Sequence, residues 1–214
     1  MKQFKDPTKN AVRHIFEPYL NEHGFTRHKE KDFNRIRGDL VDHIYFGFGR
    51  WGSEVMYIYF STHLLLDPTL NINTYTIGDR ISEKWNPVDH DSAINCANHI
   101  VKQLDQSALK WFNYMDSVEK YQGAICNHSS QLAFSAISIN DYSRAEIYLK
   151  NSIAIKKPLI FESDYPGYRD HETLKDEGLL SLEKDALDAL LNGKIEQWKM
   201  DTRKTQSLKL GIKY

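Results

Sequence analysis

The first residues with a spacing suited to chemistry are three glycines in the segment GFGRWG at positions 47–52. This spacing matches the G-x-G-x-x-G loop that holds the pyrophosphate of a dinucleotide when the loop opens into a helix. Here the glycines lead instead into SEVMYIYF, whose alternating pattern predicts a strand. We therefore expect a hairpin connection around residues 50–53, in which glycine supplies unusual backbone angles.

Histidines and tyrosines alternate with apolar side chains on both sides of those glycines. A period of two over residues 40–49 and 55–64 predicts two half-buried strands, each with its apolar side chains on one face. The opposite, polar face would then carry His43, Tyr45, Tyr57, Tyr59 and His63. Open to solvent, such a face suits protein recognition, because aromatic rings with polar tips combine buried area with hydrogen bonding. Covered by the helical half of the chain, the same side chains would be core aromatics with satisfied polar groups.

A second group of candidate binding residues lies in the acidic segment ESDYPGYRDHETLKDE at positions 162–177. It contains six acidic and two basic residues, a net charge of −4, and Pro166 and Gly167 mark a loop. Carboxylates interleaved with tyrosines favour docking onto a basic protein surface, since charge speeds encounter and aromatic rings supply buried area. The alternative is a solvated charged loop. The candidate partner-binding residues are Asp164, Tyr165, Tyr168, Asp170, Glu172 and Asp176.

Other polar clusters are weaker candidates. The triplets at 89–91 and 170–172 each place a histidine between two acidic residues, but neighbours in sequence seldom point the same way, so loop or helix-cap roles are favoured. Cys126 and His128 fit a half-buried thiol near a helix start better than a nucleophile and its base, because such pairs are normally assembled across the fold. The sequence has no H-E-x-x-H, G-x-S-x-G, Walker or C-x-x-C pattern. No metal site, cofactor or catalytic residue is therefore predicted.

The composition is that of a soluble globular protein. Of 214 residues, 41% are hydrophobic and 27% charged, and the net charge of −1 gives no general attraction to nucleic acid. The basic segment 27–37 has a net charge of +3 but contains only Phe33 as an aromatic residue, which argues against a nucleic-acid site there. No apolar stretch reaches the ~20 residues of a membrane span, and the N-terminus lacks the apolar core of a secretory signal. With only two cysteines, we expect a cytoplasmic protein with reduced thiols.

The elements that position these side chains begin with a helix. Asp6 is suited to cap it and Gly24 to end it, and an apolar stripe recurs at helical spacing between them. Residues 27–39 predict one short strand followed by a turn at Gly38–Asp39, and residues 71–78 predict a further strand beyond the central pair. The first helix would then cover the apolar face of a small antiparallel sheet.

From about residue 88 the pattern becomes helical. Residues 128–154 predict two helices around a tight turn at Asn140–Asp141, which resemble the hairpin of a tetratricopeptide repeat in a single copy. A break at Asn192–Gly193 separates a helix that begins at Leu179 from the last helix of the chain.

This order of elements predicts an α+β fold class. An N-terminal helix packs on a small antiparallel sheet in a subdomain at 1–87, and a helical subdomain with the tetratricopeptide-like hairpin follows at 88–214. The two subdomains are expected to form one compact unit.

The N-terminal region resembles an uncharacterised bacterial family, domain of unknown function 4304. In that family a helix ends in a Gly-Phe pair like Gly24–Phe25, and a strand with an aromatic-x-Arg pattern like Phe33–Arg35 follows. The next strand opens with an Asp-Leu pair like Asp39–Leu40. The resemblance implies no catalytic or cofactor-binding residues. Small cytoplasmic α+β proteins of this kind are often encoded beside secreted bacterial toxins as immunity proteins. The resemblance therefore implies that this chain is an immunity protein.

Three functions are compatible with these features. The first is a non-catalytic protein-binding protein, most specifically an immunity protein that binds and neutralises a cognate bacterial toxin domain. The second is a small hydrolase or nuclease-like enzyme built from His43, His63 and nearby carboxylates, which requires these side chains to converge and to show perturbed pKa values. The third is a helical scaffold whose hairpin holds a peptide, which requires an open groove between helices.

Overall fold

The computed structural model describes residues 12–48, 56–70, 77–81, 89–125, 129–162 and 171–212. The chain divides into two compact units. Unit 1 comprises Met1–His63, Ile72–Asp116 and Leu210–Lys213, and unit 2 comprises Leu64–Asn71, Ser117–Lys209 and Tyr214. This division differs from the predicted subdomain boundary at residues 87 and 88, because helical residues between 93 and 112 share a core with the sheet.

Unit 1 is built on a five-stranded antiparallel sheet in the order β1-β2-β3-β4-β5. The strands are β1 (Thr26–Lys29), β2 (Asp32–Arg37), β3 (Leu40–Phe48), β4 (Met56–Leu64) and β5 (Gly78–Arg80). The α+β fold class and both central strands are confirmed, and the glycines at 47–52 are followed by a strand rather than a helix. Of the strand predicted over 71–78 the structure describes only Ile77 and Gly78, and β5 continues to Arg80.

The prediction of a single strand over residues 27–37 is wrong. The chain forms two strands there, and Thr26 pairs with Asn34 while Lys29 pairs with Asp32. A tight turn at residues 30 and 31 joins them. β1 could not be predicted from an apolar alternation, because it is an edge strand whose side chains are mostly exposed. The turn predicted after β2 is confirmed, with a φ of 61° at Gly38.

One face of the sheet is covered by helices. A π-helical segment (Val12–Phe16) leads directly into α1 (Glu17–Glu22), and α2 (His90–Gln106) and α3 (Ala108–Tyr114) follow the sheet in the chain. The shared core includes Phe16, Leu20, Phe33, Ile44, Phe46, Ile58, Phe60, Ala97, Leu104 and Phe112. Full burial of each large side chain contributes roughly 1.5–3 kcal/mol. A slip of one residue in β3 or β4 would turn their core residues away from the helices. Burial of this face therefore fixes which side chains of β3 and β4 lie on the other face of the sheet.

The covered face also contains one buried carboxylate. Asp42 has no exposed side-chain surface, and its oxygens accept hydrogen bonds from Arg35 at 2.7 and 3.0 Å and from Arg37 at 2.6 and 2.8 Å. Arg35 also stacks over Phe25, and Arg37 donates to the carbonyl oxygen of Met115 at 2.7 Å. Removal of one member of a buried ion pair typically costs about 3–5 kcal/mol. This network therefore holds β2 and β3 to the segment that follows α3.

Unit 2 is helical. Its helices are α4 (Val118–Ala124), α5 (Ser129–Ser138), α6 (Tyr142–Glu162), α7 (His171–Leu191) and α8 (Ile195–Lys209). The predicted helical hairpin is confirmed, because α5 and α6 pack side by side around Asn140, whose φ is 62°. The predicted break before α8 is confirmed by the φ of 67° at Gly193. α7 begins at His171, earlier than the predicted Leu179. The prediction missed its polar first turns because they show no apolar periodicity in the sequence.

Candidate functional site

The predicted recognition residues of β3 and β4 lie on the face opposite the helices. Ile44 and Phe46 of β3, and the alternate residues of β4, belong to the core, so their neighbours along each strand point the other way. The pairings of Asn34 with His43 and of Tyr59 with Arg80 bring side chains of β2 and β5 onto this second face. We call it the polar sheet face. Its members are Asp32, Asn34, His43, Tyr45, Tyr57, Tyr59, Ser61, His63 and Arg80.

The buried part of this face is the histidine end, defined as Asp32, Asn34, His43, Ser61 and His63. His43 Nε2 lies 3.2 Å from Asp32 Oδ1, and the centroids of the two imidazole rings are 6.2 Å apart. Ser61 Oγ and His63 Nε2 are hydrogen-bonded at 2.7 Å. The exposed fractions of these five residues range from 0% for Asn34 to 7% for Asp32. The two predicted histidines therefore converge, together with partners that the sequence did not single out.

The electrostatics of the histidine end follow from its burial. Burial, with a smaller contribution from neighbouring His43, lowers the pKa of His63 to about 3. At neutral pH the His63 ring is therefore neutral and shares a hydrogen with the Ser61 hydroxyl. In serine hydrolases, a base activates the serine nucleophile through a hydrogen bond of this kind. Ser61 is only 1% exposed, however, so a substrate would reach its Oγ only after this end is uncovered.

The C-terminal turn of unit 1 lies against β1 and β2 beside the histidine end. The side-chain amide of Asn34 donates to the carbonyl oxygen of Leu210 at 3.4 Å. Its Oδ1 has no hydrogen-bond partner within the part of the chain that the structure describes. Gly211 approaches β1 so closely that a Cβ atom there would lie 2.3 Å from His28 Nδ1. The histidine end is thus bordered by close-packed protein rather than by an open cleft.

The accessible part of the polar sheet face is the tyrosine end, defined as Tyr45, Tyr57, Tyr59 and Arg80. The Tyr45 and Tyr59 rings stack with centroids 6.3 Å apart, and Tyr57 lies 6.3 Å from Tyr59. The guanidinium carbon of Arg80 is 4.7 Å from the Tyr57 ring centroid. A Cβ atom at Gly47 would lie 2.6 Å from the Tyr45 ring, so only glycine allows this ring to lie where it does. All three tyrosines are half-buried and Arg80 is exposed.

The two ends are parts of one continuous aromatic row. The His43 and Tyr45 rings stack with centroids 6.2 Å apart, which links the imidazole pair to the tyrosines. Aromatic contacts of this kind contribute about 0.5–1.5 kcal/mol each beyond their buried area. Tyrosine and arginine are also the residue types that are enriched at binding hot spots. The polar sheet face is therefore covered at its histidine end and partly accessible at its tyrosine end.

The predicted acidic docking segment lies largely outside the described residues. Asp164, Tyr165, Tyr168 and Asp170 fall in the gap between α6 and α7. Glu172 and Asp176 belong to the first turns of α7, where the structure describes the backbone but not these side chains. The docking role of this segment stays a prediction. The predictions for Cys126 and His128 also fall outside the described residues.

The triplet at 89–91 caps a helix, which confirms the helix-cap interpretation for its first member. Asp89 Oδ1 accepts a hydrogen bond from the Ser92 backbone N–H at 2.8 Å, and Ser92 Oγ accepts one from the Asp89 backbone N–H at 3.0 Å. This reciprocal arrangement is a capping box at the N-terminus of α2. The Asp91 side chain is exposed. The corresponding first member of the second triplet, Asp170, lies outside the described residues.

A second polar cluster, missed by the sequence analysis, lies inside unit 2. Lys156 Nζ donates to Glu183 Oε1 at 2.8 Å, to Ser152 Oγ at 2.5 Å and to Ser130 Oγ at 3.1 Å. Both serine hydroxyls also donate to Glu183 Oε1. The contacts between different helices join α5, α6 and α7 across 26 to 53 residues of sequence, so no local motif marks them. All three ammonium hydrogens of Lys156 have acceptors, and we assign the cluster a structural role.

The remaining tests for known chemistry and known relatives are negative. Among the described residues, no group of three or more His, Cys, Asp or Glu side chains is placed to hold a metal ion. No helix in that part of the chain is both long and apolar enough to cross a membrane. Comparison of the chain with protein-family models, curated proteins and solved structures gave no match.

Proposed function

We propose that this protein is a non-catalytic protein-binding protein that docks its partner on the tyrosine end. The observation that carries the proposal is the row of Tyr45, Tyr57 and Tyr59 beside an exposed Arg80. Tyrosine rings supply large contact areas at a small loss of side-chain entropy, and arginine adds directional hydrogen bonds. A strand surface of this kind would form the centre of an interface of roughly 1,600 Å² in total.

Within this class we propose an immunity protein, present in the bacterial cytoplasm, that binds and neutralises a cognate toxin domain. The resemblance of the N-terminal region to domain of unknown function 4304 supports this choice. The absence of familiar catalytic patterns from the sequence also favours inhibition by binding. Inhibition would follow from occlusion, because the partner surface that covers the tyrosine end is closed to its own target. The acidic segment at 162–177 remains a second predicted docking region.

A protection assay tests the proposal. Cells that express a toxin-domain product of a neighbouring gene would receive wild-type protein, Tyr57→Ala or Tyr114→Ala. Tyr114 is 62% exposed and lies in unit 1 away from the polar sheet face, so it is a matched control for removal of an exposed tyrosine. We expect protection by the wild type and by Tyr114→Ala, and a loss of protection with Tyr57→Ala. Equal protection by all three proteins, or protection by none, would contradict the proposal.

A second candidate function is hydrolysis at the histidine end. The observations that favour it are the hydrogen bond between Ser61 Oγ and His63 Nε2 and the contact between His43 and Asp32. Ser61 would attack a carbonyl carbon while His63 accepts its proton and returns it to the leaving group, and water would then release the acyl group. It ranks second because the nucleophile is buried. Labelling of Ser61 by a fluorophosphonate probe, absent from Ser61→Ala and retained by Ser92→Ala, would favour it over binding.

The helical-scaffold alternative has the least support. It requires an open groove in the hairpin of α5 and α6. Residues of the hairpin that line its interior are buried, among them Ala133, Ala136 and Ala145, with exposed fractions of 0–1%. Their small side chains bring the helices together rather than leave space for a peptide.

A further inference from the structure

The accessible part of the polar sheet face carries the positive charge of Arg80. Arg80 is exposed, and its guanidinium group contacts the Tyr57 ring but makes no ion pair with any residue that the structure describes. His63 adds no charge to this face at neutral pH, because burial lowers its pKa to about 3. Among the described residues of the tyrosine end, the charge that a partner meets is therefore positive.

The acidic side chains that the structure describes in β2 and β5, Asp32 and Asp79, make their contacts elsewhere. Asp79 Oδ1 accepts a hydrogen bond from the Arg80 backbone N–H at 2.7 Å, and Asp79 pairs with Phe60, which lies on the core side of β4. Asp32 belongs to the histidine end, where it is 7% exposed and contacts His43. Neither carboxylate faces the Arg80 guanidinium.

The contact of Arg80 with Tyr57 involves the flat face of the guanidinium group. A guanidinium group has five N–H donors in a planar fork, and stacking on an aromatic ring uses its face rather than its edges. In this structure the ring of Tyr57 holds the group at 4.7 Å. A carboxylate matches the fork with two parallel hydrogen bonds, which are charge-assisted and directional.

We propose that the partner segment seated on the tyrosine end is acidic and places a carboxylate on Arg80, with apolar or aromatic residues next to it against Tyr45 and Tyr57. This inference rests on the proposed function, since it specifies the chemistry of the same docking surface. Charge complementarity selects this occupant: an acidic segment neutralises Arg80, which is the one cation among the described residues of the tyrosine end, whereas a basic segment would place two cations together.

Peptide selection tests this inference directly. A library of random 12-residue peptides displayed on phage would be selected against the immobilised full chain as wild type, Arg80→Glu and Tyr57→Ala. We expect the wild type to enrich peptides with Asp or Glu next to aromatic or apolar residues, and Arg80→Glu to enrich peptides with Lys or Arg. A synthetic peptide from the wild-type selection should bind Arg80→Gln about tenfold more weakly. Thermal unfolding midpoints of the variants confirm that each is folded.

The outcomes separate the two claims. Enrichment that needs Tyr57 but has the same charge preference on wild type and Arg80→Glu would overturn the acidic-partner inference and leave the docking surface in place. Enrichment that is identical on wild type and Tyr57→Ala would overturn the docking surface itself. Basic peptides on the wild type would overturn the inference and would point to the acidic segment at 162–177 as their binding site.

Discussion

The two ends of the polar sheet face are built from similar side chains and differ in their surroundings. At the histidine end, His43, Ser61 and His63 are 1–3% exposed, and each has a hydrogen-bond partner within the face. At the tyrosine end, the rings are half-buried, and the exposed Arg80 makes no ion pair with a carboxylate that the structure describes. The contrast teaches that polar residue types alone do not mark a functional surface. Buried and paired groups contribute to stability, whereas accessible and unopposed groups are available to a partner.

The largest effect is expected at the edge that carries Arg80. A Cβ atom at Gly78 would lie 2.1 Å from the Phe60 carbonyl oxygen, so Gly78→Ala must push β5 away from β4. We expect a loss of about 3 kcal/mol in the free energy of unfolding, measured by urea denaturation. The control is Gly178→Ala in α7, where a Cβ atom meets nothing within 4 Å. That variant should gain about 0.5–1 kcal/mol. A Gly78→Ala protein as stable as wild type would show that β5 is not held as described.

The next effect separates binding from stability. Tyr57→Ala should weaken partner binding by about 2 kcal/mol, or roughly thirtyfold, because a hot-spot ring is removed. His63→Gln should lower the unfolding free energy by about 1–2 kcal/mol and leave the affinity unchanged, since its loss is confined to buried contacts. Isothermal titration against the toxin domain and urea denaturation measure the two quantities. The opposite pattern, with affinity lost in His63→Gln alone, would move the binding site to the histidine end.

The pH dependence of unfolding should be sensitive to the histidine end. The pKa of folded His63, about 3, lies below the ordinary value of 6.5, so the unfolded chain binds more protons between these pH values. The contribution of His63 is full above pH 6.5 and is lost as the pH falls toward 3, so the free energy of unfolding decreases with falling pH over this range. His63→Gln should have a flatter profile than wild type over this range. A His63→Gln profile as steep as that of the wild type, measured by urea denaturation at a series of pH values, would contradict this account.

The smallest effect concerns the tyrosine hydroxyl. Tyr57→Phe keeps the ring beneath Arg80 and removes only the polar tip. We expect partner affinity to fall by about 0.5–1 kcal/mol, a two- to fivefold change, and unfolding to be unaltered. A loss as large as that of Tyr57→Ala would assign the binding energy to the hydroxyl rather than to the ring.

The part of the fold that the sequence predicts is the part with a strong local pattern. The alternation in residues 40–49 and 55–64 gave both central strands and the faces of their side chains. The turn residues Asn140 and Gly193 marked helix ends because they adopt positive φ angles. β1 was missed because an exposed edge strand has no apolar alternation, and the polar start of α7 was missed for a similar reason.

The candidate site was predictable only in part. The alternation placed His43 and His63 on one face, but burial at one end depends on packing that no local pattern records. Ser61 was not singled out because a serine within a strand gives no signal until its histidine neighbour is seen at 2.7 Å. Arg80 was missed because it enters the face through the pairing of β5 with β4. Long-range register therefore decided which side chains meet.

The measurement that tests the central claim most directly is hydroxyl-radical footprinting of the complex. The protein would be purified with the product of its neighbouring toxin gene, and side-chain oxidation would be compared with that of the protein alone by mass spectrometry. We predict that Tyr45 and Tyr57 lose reactivity in the complex, while His43 and His63 stay unreactive in both states. Protection confined to other surfaces, with the reactivity of both tyrosines unchanged, would contradict the assignment of the tyrosine end as the docking site.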